Sequence, residues 1–331
     1  MLQSRSLGIG FSPLERRREL IVELAVLAER CGYDRVSLGE GWTWDVHLML
    51  AEIAAKTSRL ELVSAVVSAY SRTPGSIAMS AATLAAQSEG RYVLGLGASS
   101  QALTEGFHDV AYEQPVSQLR KTVQDTRALL TGGRIEMTRD VRPLRLGADE
   151  FPSPSIYIAA LSPRALRLVG ELAEGWLPFL VPPAQLPAFV DGIEGGRSRR
   201  SADLTPAIRV LPAVPTVVSA DVSHARDVMS SMLTTSLLAM GEFYCPFLES
   251  IGFSAEVAAI RAANERPGDG IIPEAGERLL REQTIVGAPE EARLRLAEWY
   301  ESGADAPLLT LPPGAPAELL RETVEVMAPG A

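Results

Sequence analysis

The chain has 331 residues, 47% of them hydrophobic and 22% charged, an ordinary globular composition with ample length for a large core. A formal net charge of -10 argues against nucleic acid and acidic membrane surfaces as general partners. Cys31 and Cys245 are too few for a disulfide framework or a cysteine-based zinc site, and the three histidines show no metal-ligand spacing, so no metal site is expected.

Strand-like and helix-like segments alternate along almost the whole chain. Eight short apolar runs have strand length, and in chain order they are Leu7–Phe11, Arg35–Leu38, Leu60–Ala65, Tyr92–Leu96, Ser155–Ala159, Gly175–Leu180, Ala207–Val214 and Ala306–Leu311. Between these runs apolar residues recur at helical spacing, as at Leu20, Leu24 and Leu27 in the first helix. Asp45 is predicted to cap the second helix, and Gly132–Gly133 to end the helix after the fourth strand.

Two segments depart from this alternation. Arg134–Leu146 is predicted to form a small β excursion, and residues 219–284 are mostly helical and longer than one crossover requires. Eight strands separated by helices favour a (β/α)8 barrel over an open doubly wound sheet. The chain is therefore predicted to be a single α/β barrel domain over residues 1–331, with a helical insertion around 219–284.

Small and polar residues follow the third and fourth predicted strands. Ser68–Pro74 is a polar turn that brings an arginine and a proline to the start of a helix, and Gly97–Ser100 is a run of small residues. The carboxyl ends of parallel strands are where α/β proteins bind ligands. These two strand ends therefore predict a site where a flat ligand approaches the backbone.

Four separated segments resemble, in the same order, the luciferase-like monooxygenase family in its coenzyme F420-dependent branch. They are LAERCGYDRVSLGEGWTWD, AYSRTPGSIAMSAATLAAQSEGRYVLGLGAS, IYIAALSPRALRLVGELAEGWLP and TIVGAPEEARLRLAEWYESGADAPLLT. The resemblance spans nearly the whole chain and implies a TIM barrel of the bacterial-luciferase-like type. It also implies an oxidoreductase that uses the deazaflavin coenzyme F420, with FMN as the alternative cofactor.

The resemblance places the third strand end beneath the cofactor ring. Ser64, Val66, Val67 and Ser68 match the place where family members kink the backbone, often through a non-proline cis peptide. In this chain that bond would be Val66–Val67, where two β-branched residues stand in place of the glycine often found there. A plain buried strand is the alternative interpretation.

The fourth strand end is expected to face the cofactor as well. Gly97, Ala98 and Ser99 would leave room for it, and Thr104 matches a polar position near its phosphate. A strand-to-helix turn with a serine cap is the alternative. Arg72 is expected either to reach the anionic arm of the cofactor or to pair with a nearby acid.

The leading candidate for an anion site follows the fifth strand. Ser162 suits an N-cap and Pro163 suits the first helical position, and the free amides of a helix start attract phosphate. The family uses this turn for the cofactor phosphate. The resemblance therefore implies five cofactor-binding residues here: Ala159, Ala160, Leu161, Ser162 and Arg164. A helix start without a ligand is the alternative.

Glu40 and Trp44, which follow the second strand, are the candidate catalytic residues. In the family an acid stands here, often followed by a histidine that transfers a proton, but this chain has Gly41. A side-chain acid–base step at that position is therefore excluded. Glu40 is expected to orient the ring and Trp44 to cover the substrate, with ordinary packing of Trp42 and Trp44 as the alternative.

The leading functional hypothesis is hydride transfer between F420 and a small organic substrate, such as reduction of an activated C=C or C=N bond. The alternative is an FMN-dependent monooxygenase that uses reduced flavin and O2, and a second alternative is a flavin-binding barrel without catalysis. The expected partners are the small-molecule substrate, a second copy in a homodimer, and a flavin or F420 reductase. The sequence shows no signal-peptide pattern, so the expected location is the cytoplasm.

Overall fold

The computed structural model describes residues 5–148, 150–239 and 241–330, and these residues form two compact units. The first unit contains the described residues of Met1–Asp34, Pro178–Phe189 and Val210–Ala331. The second contains those of Arg35–Leu177 and Val190–Arg209. The single domain over 1–331 stays a prediction, and residues 1–4, 149, 240 and 331 of it lie outside the described residues.

Short strands run through the described chain, and each of the eight predicted runs overlaps at least one of them. In chain order they are β1 (Gly8–Phe11), β2 (Arg35–Leu38), β3 (Glu61–Ser64), β4 (Val67–Ser68), β5 (Tyr92–Gly97), β6 (Ser155–Ile158), β7 (Gly175–Trp176), β8 (Arg209–Val210), β9 (Ala213–Val218), β10 (Ile285–Gly287) and β11 (Leu308–Leu311).

Helices separate most of the strands. They are α1 (Arg18–Arg30), α2 (Val46–Lys56), α3 (Pro74–Gln87), α4 (Gln101–Gly106), α5 (Pro115–Leu130), α6 (Pro163–Leu172), α7 (Leu186–Glu194), α8 (Val222–Ala239), α9 (Gly241–Ser250), α10 (Ser254–Ala263), α11 (Glu277–Gln283), α12 (Pro289–Glu301) and α13 (Ala317–Val326). Asp45 caps α2 as predicted, because its Oδ1 accepts a hydrogen bond from the Leu48 amide at 3.0 Å. Gly132, which has a positive φ, follows the end of α5 as predicted.

In the second unit β2, β3, β5, β6 and β7 form a parallel sheet in that order, and β4 also pairs with β5. The central strands are buried along their length, as in a parallel sheet that is covered on both faces. Gly95 of β5 is required because a Cβ there would lie 1.9 Å from the Ser64 carbonyl oxygen. Since the strands are parallel, their carboxyl ends lie together at one edge of the sheet.

In the first unit β10, β9, β11 and β1 form a second parallel sheet in that order. Helices from the segment between β9 and β10 supply much of the apolar core of this unit, which includes Met229, Leu237, Phe253 and Ile260. This segment is helical, as the sequence pattern predicts. Its interpretation as an insertion late in a barrel stays a prediction.

The structure corrects two predictions about strands. Arg134–Leu146 contains no strand; it is an irregular and mostly exposed segment, because charged residues and Pro143 interrupt its apolar residues. The predicted strand Ala207–Val214 is divided between β8 and β9, and the gap contains Pro212, which has no amide hydrogen to donate to a ladder. The two-residue β4 and the three-residue β10 were not predicted.

Candidate active site

The candidate site residues lie in the second unit, at the carboxyl edge of its sheet. Glu40 follows β2, Val66 lies between β3 and β4, Gly97 ends β5, and Ala159 follows β6. These elements come from four separate stretches of sequence. The topology therefore brings together the strand ends that the sequence singled out.

The backbone kink lies one residue earlier than predicted. The cis peptide is Ala65–Val66, not Val66–Val67. Ala65 still donates its amide to the Leu38 carbonyl oxygen at 2.8 Å. Val67 is again in regular pairing, opposite Leu96 of β5. The alternative of a plain continuous strand is wrong here.

Small apolar residues form a floor beside this kink. A Cβ added to Gly97 would lie 2.5 Å from Val66 Cγ2 and 3.6 Å from Ala159 Cβ, so these three residues pack closely and position 97 has no room for a side chain. The backbone fixes the same arrangement, because the Gly97 carbonyl accepts from the Ala69 amide and the Leu96 carbonyl from the Ala159 amide, both at 2.9 Å. Val66, Gly97 and Ala159 are called the apolar floor below.

A chain of buried hydrogen bonds begins at Ser64, two residues before Val66 of the apolar floor. Ser64 Oγ accepts from the Gly95 amide at 2.9 Å and lies 3.0 Å from Tyr92 Oη, which lies 3.1 Å from His47 Nε2. Burial chiefly, together with the positive charge of Arg72, lowers the pKa of His47 to about 4, although the nearby carboxylates of Glu40 and Asp45 oppose this shift. His47 is therefore neutral near pH 7. No local sequence pattern indicates this link, because 45 residues separate His47 from Tyr92.

Glu40 is held by three donors. Its Oε2 accepts from the Ser68 amide at 3.4 Å and from Ser71 Oγ at 3.2 Å, and its Oε1 accepts from Arg72 Nη2. The same Nη2 donates to Asp45 Oδ2 at 2.8 Å. Burial alone would raise the pKa of Asp45, but the hydrogen bond and charge of Arg72 hold it below its usual value. Arg72 thus pairs with acids, which was one of its two predicted roles.

The two tryptophans after β2 are not packed in the core. Trp42 is 51% exposed and Trp44 is 39% exposed. Both indoles are therefore partly accessible at the strand-end edge. The role of Trp44 in covering a substrate stays a prediction.

The helix start after β6 has the predicted local structure. Ser162 Oγ accepts from the Ala165 amide at 3.3 Å, and Pro163 occupies the first turn of α6. The Ala160 carbonyl is held in place by a hydrogen bond that Trp176 Nε1 donates to it at 2.8 Å. Arg164 is exposed and has no ion-pair partner among the described residues. This end of the site therefore has a positive helix terminus and an uncompensated cation.

The remaining candidates divide by accessibility. Ala98, Ser99 and Leu161 are partly exposed at the edge of the sheet, and Ser99 has a left-handed backbone with φ 64°. Six other candidates are buried, and they are Ser64, Val67, Ser68, Gly97, Thr104 and Ala160. The Thr104 hydroxyl is fully enclosed and has no hydrogen-bond partner among the described residues. Contact of all these residues with a cofactor stays a prediction.

Comparison with known proteins agrees with this geometry. The sequence model of the family described as luciferase-like monooxygenase matches residues 10–306. The chain belongs to this family. A Mycobacterium tuberculosis protein named as a coenzyme F420-dependent oxidoreductase is 26% identical over 317 residues, covering 87% of this chain and 89% of the relative.

Two solved structures share the fold. The coenzyme F420 dependent tetrahydromethanopterin reductase of Methanopyrus kandleri has a TM-score of 0.72 at 18% identity, covering 98% of this chain and 97% of its own. The oxygenating constituent of 3,6-diketocamphane monooxygenase from Pseudomonas putida, in complex with FMN, has a TM-score of 0.71 at 16% identity, covering 98% and 97%. The predicted fold class, the luciferase-like type of α/β barrel, is confirmed.

The prediction of a luciferase-like oxidoreductase is confirmed by the family and by these relatives. The names of the relative and of the two solved structures include both predicted cofactors, F420 and FMN. Within the described residues no helix is long and apolar enough to cross a membrane. Those residues also contain no group of three or more His, Cys, Asp and Glu side chains arranged to hold a metal ion.

Proposed function

We propose that the chain is a coenzyme F420-dependent oxidoreductase that transfers a hydride between the deazaflavin and a small organic substrate. The observation that carries this proposal is the pairing of the apolar floor with the capped helix start of α6 at one sheet edge. An apolar floor suits a planar ring, and the helix start with Arg164 suits an anionic arm. The F420-dependent relatives support the choice of cofactor.

When bound, F420 supplies two-electron hydride chemistry at the ring carbon that replaces the reactive nitrogen of flavin. The residues of the chain contribute orientation. Val66, Gly97 and Ala159 would present backbone and apolar side chains to one face of the ring, while Ser162 and Arg164 would hold the phosphate. Trp44, exposed at the same edge, is assigned to cover the substrate and exclude water.

The source of the proton restricts the kinds of bond that the protein could reduce. Gly41 has no side chain, and the carboxylate of Glu40 is occupied by the Ser68 amide, Ser71 Oγ and Arg72. Glu40 is therefore assigned to hold the loop and orient the ring, not to donate a proton. Solvent then supplies the proton, which favours an activated C=C or C=N bond: one atom of the double bond receives the hydride and the other receives the proton.

Calorimetric titration of the purified protein with F420, and separately with FMN, tests the proposal. We expect F420 to bind more tightly, and the loaded protein to exchange a hydride with an activated alkene or imine without consuming O2. Tighter binding of FMN, or binding of neither cofactor, would overturn the proposal.

The second candidate is an FMN-dependent monooxygenase that uses reduced flavin and O2. The observation in its favour is the fold shared with the FMN-bound oxygenating constituent of the diketocamphane enzyme. Oxygen uptake upon addition of reduced FMN and a ketone would support it. Turnover with F420 and no oxygen uptake would reject it.

We also propose the assembly that the luciferase-like family implies. The active form would be a homodimer in the cytoplasm, supplied with reduced cofactor by a separate reductase. Light scattering during size-exclusion chromatography tests the dimer, and a monomer at micromolar concentration would contradict it.

A further inference from the structure

A cavity lies beside the acid cluster of the second unit. Its volume is about 630 Å³, within the range of small-molecule sites. One wall is Ala69–Pro74, the loop between β4 and α3, and the other comes from Val110–Lys121, the approach to α5 and its first turns. This cavity is called the side groove. It adjoins the candidate active site because Arg72, which binds Glu40, is part of its wall.

The walls of the side groove are tied together. Tyr70 Oη donates to the Glu113 carbonyl oxygen at 2.6 Å, and Gln118 Nε2 donates to the Ala69 carbonyl oxygen at 3.1 Å. The rings of Tyr70 and Tyr112 add a tilted contact, with centroids 5.2 Å apart. The groove is therefore preformed, which lowers the entropic cost of binding a ligand.

Several polar groups of the groove are unused. Arg72 gives one nitrogen, Nη2, to both of its carboxylate partners, and its buried Nε–H has no acceptor among the described residues. The side chains of Gln114 and Ser117 line the groove and make no hydrogen bond within the same described part of the chain. These donors and acceptors are neutral, apart from Arg72, and they match a carbonyl or amide group.

The charges of the groove disfavour an anion. Arg72 is compensated by both Glu40 and Asp45, and Lys121 is compensated by Asp125 at 2.6 Å. Glu113 lines the groove and has no ion-pair partner among the described residues. Glu113 is the one carboxylate in the wall beside two cations, but once the ion-pair partners Glu40, Asp45 and Asp125 are counted, four carboxylates stand against those two cations. Arg164, which has no ion-pair partner within the part of the chain that the structure describes, lies at the other end of the site.

We propose that the side groove binds the organic substrate, and that this substrate is an uncharged molecule with a carbonyl or amide oxygen. That oxygen accepts from Arg72, and the rest of the polar group bonds with Gln114 and Ser117. The assignment rests on the proposed function, because it takes the acceptor of the hydride to be the occupant of the groove. It also separates the substrate from the anionic arm of the cofactor, which binds at Ser162–Arg164.

Two probes of matched shape test this. Cinnamamide and cinnamate share an activated C=C bond and differ in charge. Binding to the whole protein is followed by saturation-transfer NMR, for the natural chain, for Ser117→Trp, which fills the groove, and for Gln124→Trp. Gln124 is exposed on the same helix and does not line the groove, so it is the matched control.

We expect the amide to bind and the carboxylate to bind at least about fivefold more weakly. Ser117→Trp should weaken amide binding by about tenfold and Gln124→Trp by less than about twofold. Equal binding of the two probes, equal behaviour of the two variants, or no binding of the amide at millimolar concentration would overturn the proposal. Each of the three proteins is also titrated with F420. If none of them binds F420, the proposed function is rejected, and the probe results still show whether the side groove binds an uncharged amide.

Discussion

The two ends of the candidate active site use their polar groups in opposite ways. Around β2, β3 and β4 the polar side chains bind each other: Glu40 has three donors, and Ser64, Tyr92 and His47 form a buried chain. At the start of α6 Ser162 caps the helix, while Arg164 remains unpaired among the described residues. The polar groups of the first region, called the support below, are already paired with each other. The second region keeps the charge of Arg164 available for a ligand. Substitutions should therefore cost stability in the first region and affinity in the second.

The largest loss of stability is expected at Gly95, whose amide donates to Ser64 Oγ. Gly95→Ala would bring a Cβ to 1.9 Å from the Ser64 carbonyl oxygen, so the strands must move apart. The free energy of unfolding should fall by about 3 kcal/mol or more, seen as a lower thermal midpoint. Gly106→Ala is the control, since a Cβ there meets nothing within 4 Å. Equal midpoints for the two variants would contradict the packing described.

The second effect is a dependence of stability on pH that comes from His47. Its pKa is lowered from 6.5 to about 4, chiefly by burial. The unfolded chain therefore binds a proton at a higher pH than the folded one, so this stabilising contribution is complete above about pH 6.5 and is lost as the pH falls toward 4. It amounts to about 3 kcal/mol.

His47→Gln removes the titrating group and keeps a polar side chain. We expect the difference in stability between the natural chain and this variant to shrink steadily from pH 6.5 to 4.5, as measured by urea unfolding. A difference that does not change with pH would show that His47 is not the group responsible.

The third effect concerns Tyr92. Tyr92→Phe leaves the ring in place but removes the hydroxyl between Ser64 and His47, so His47 Nε2 loses its partner. We expect a loss of about 2 kcal/mol in unfolding free energy. Tyr157→Phe is the matched control, because Tyr157 is equally a buried strand residue, and its hydroxyl makes no hydrogen bond within the described chain. A loss of similar size in both variants would argue that the buried chain adds no stability.

The smallest effect on stability, and the clearest on binding, is expected at Arg164. Arg164→Ala removes an exposed side chain, so the thermal midpoint should hardly change. The dissociation constant for F420 should rise about tenfold, the equivalent of about 1.4 kcal/mol for a charge-assisted contact. Arg167→Ala, one turn along α6 and also exposed, is the control. Equal affinity in both variants would remove Arg164 from the site.

Local signals in the sequence predicted one of these regions better than the other. The helix start after β6 depends on neighbouring residues, Ser162 and Pro163, and was predicted residue by residue. The support depends on contacts between residues far apart in sequence, such as His47 with Tyr92, and these leave no local pattern. The cis peptide was predicted one bond too late, at Val66–Val67 instead of Ala65–Val66.

The fold shows the same division. The predicted strands overlap observed strands because short apolar runs between helices are a strong signal of a parallel sheet. The β excursion predicted at Arg134–Leu146 was wrong, because six charged residues and Pro143 leave that segment too few apolar residues to bury in a sheet. The barrel type came from the family resemblance and not from periodicity.

The four tryptophans of the chain divide into two optical classes. Trp176 and Trp299 are fully buried, whereas Trp42 and Trp44 are exposed at the strand-end edge. Iodide quenches indole emission only where it reaches the ring, so the quenchable part of the natural emission comes from the two tryptophans beside the candidate active site. A ligand that binds there should reduce the quenchable fraction. The chain thus carries its own reporter of occupancy, with no added label.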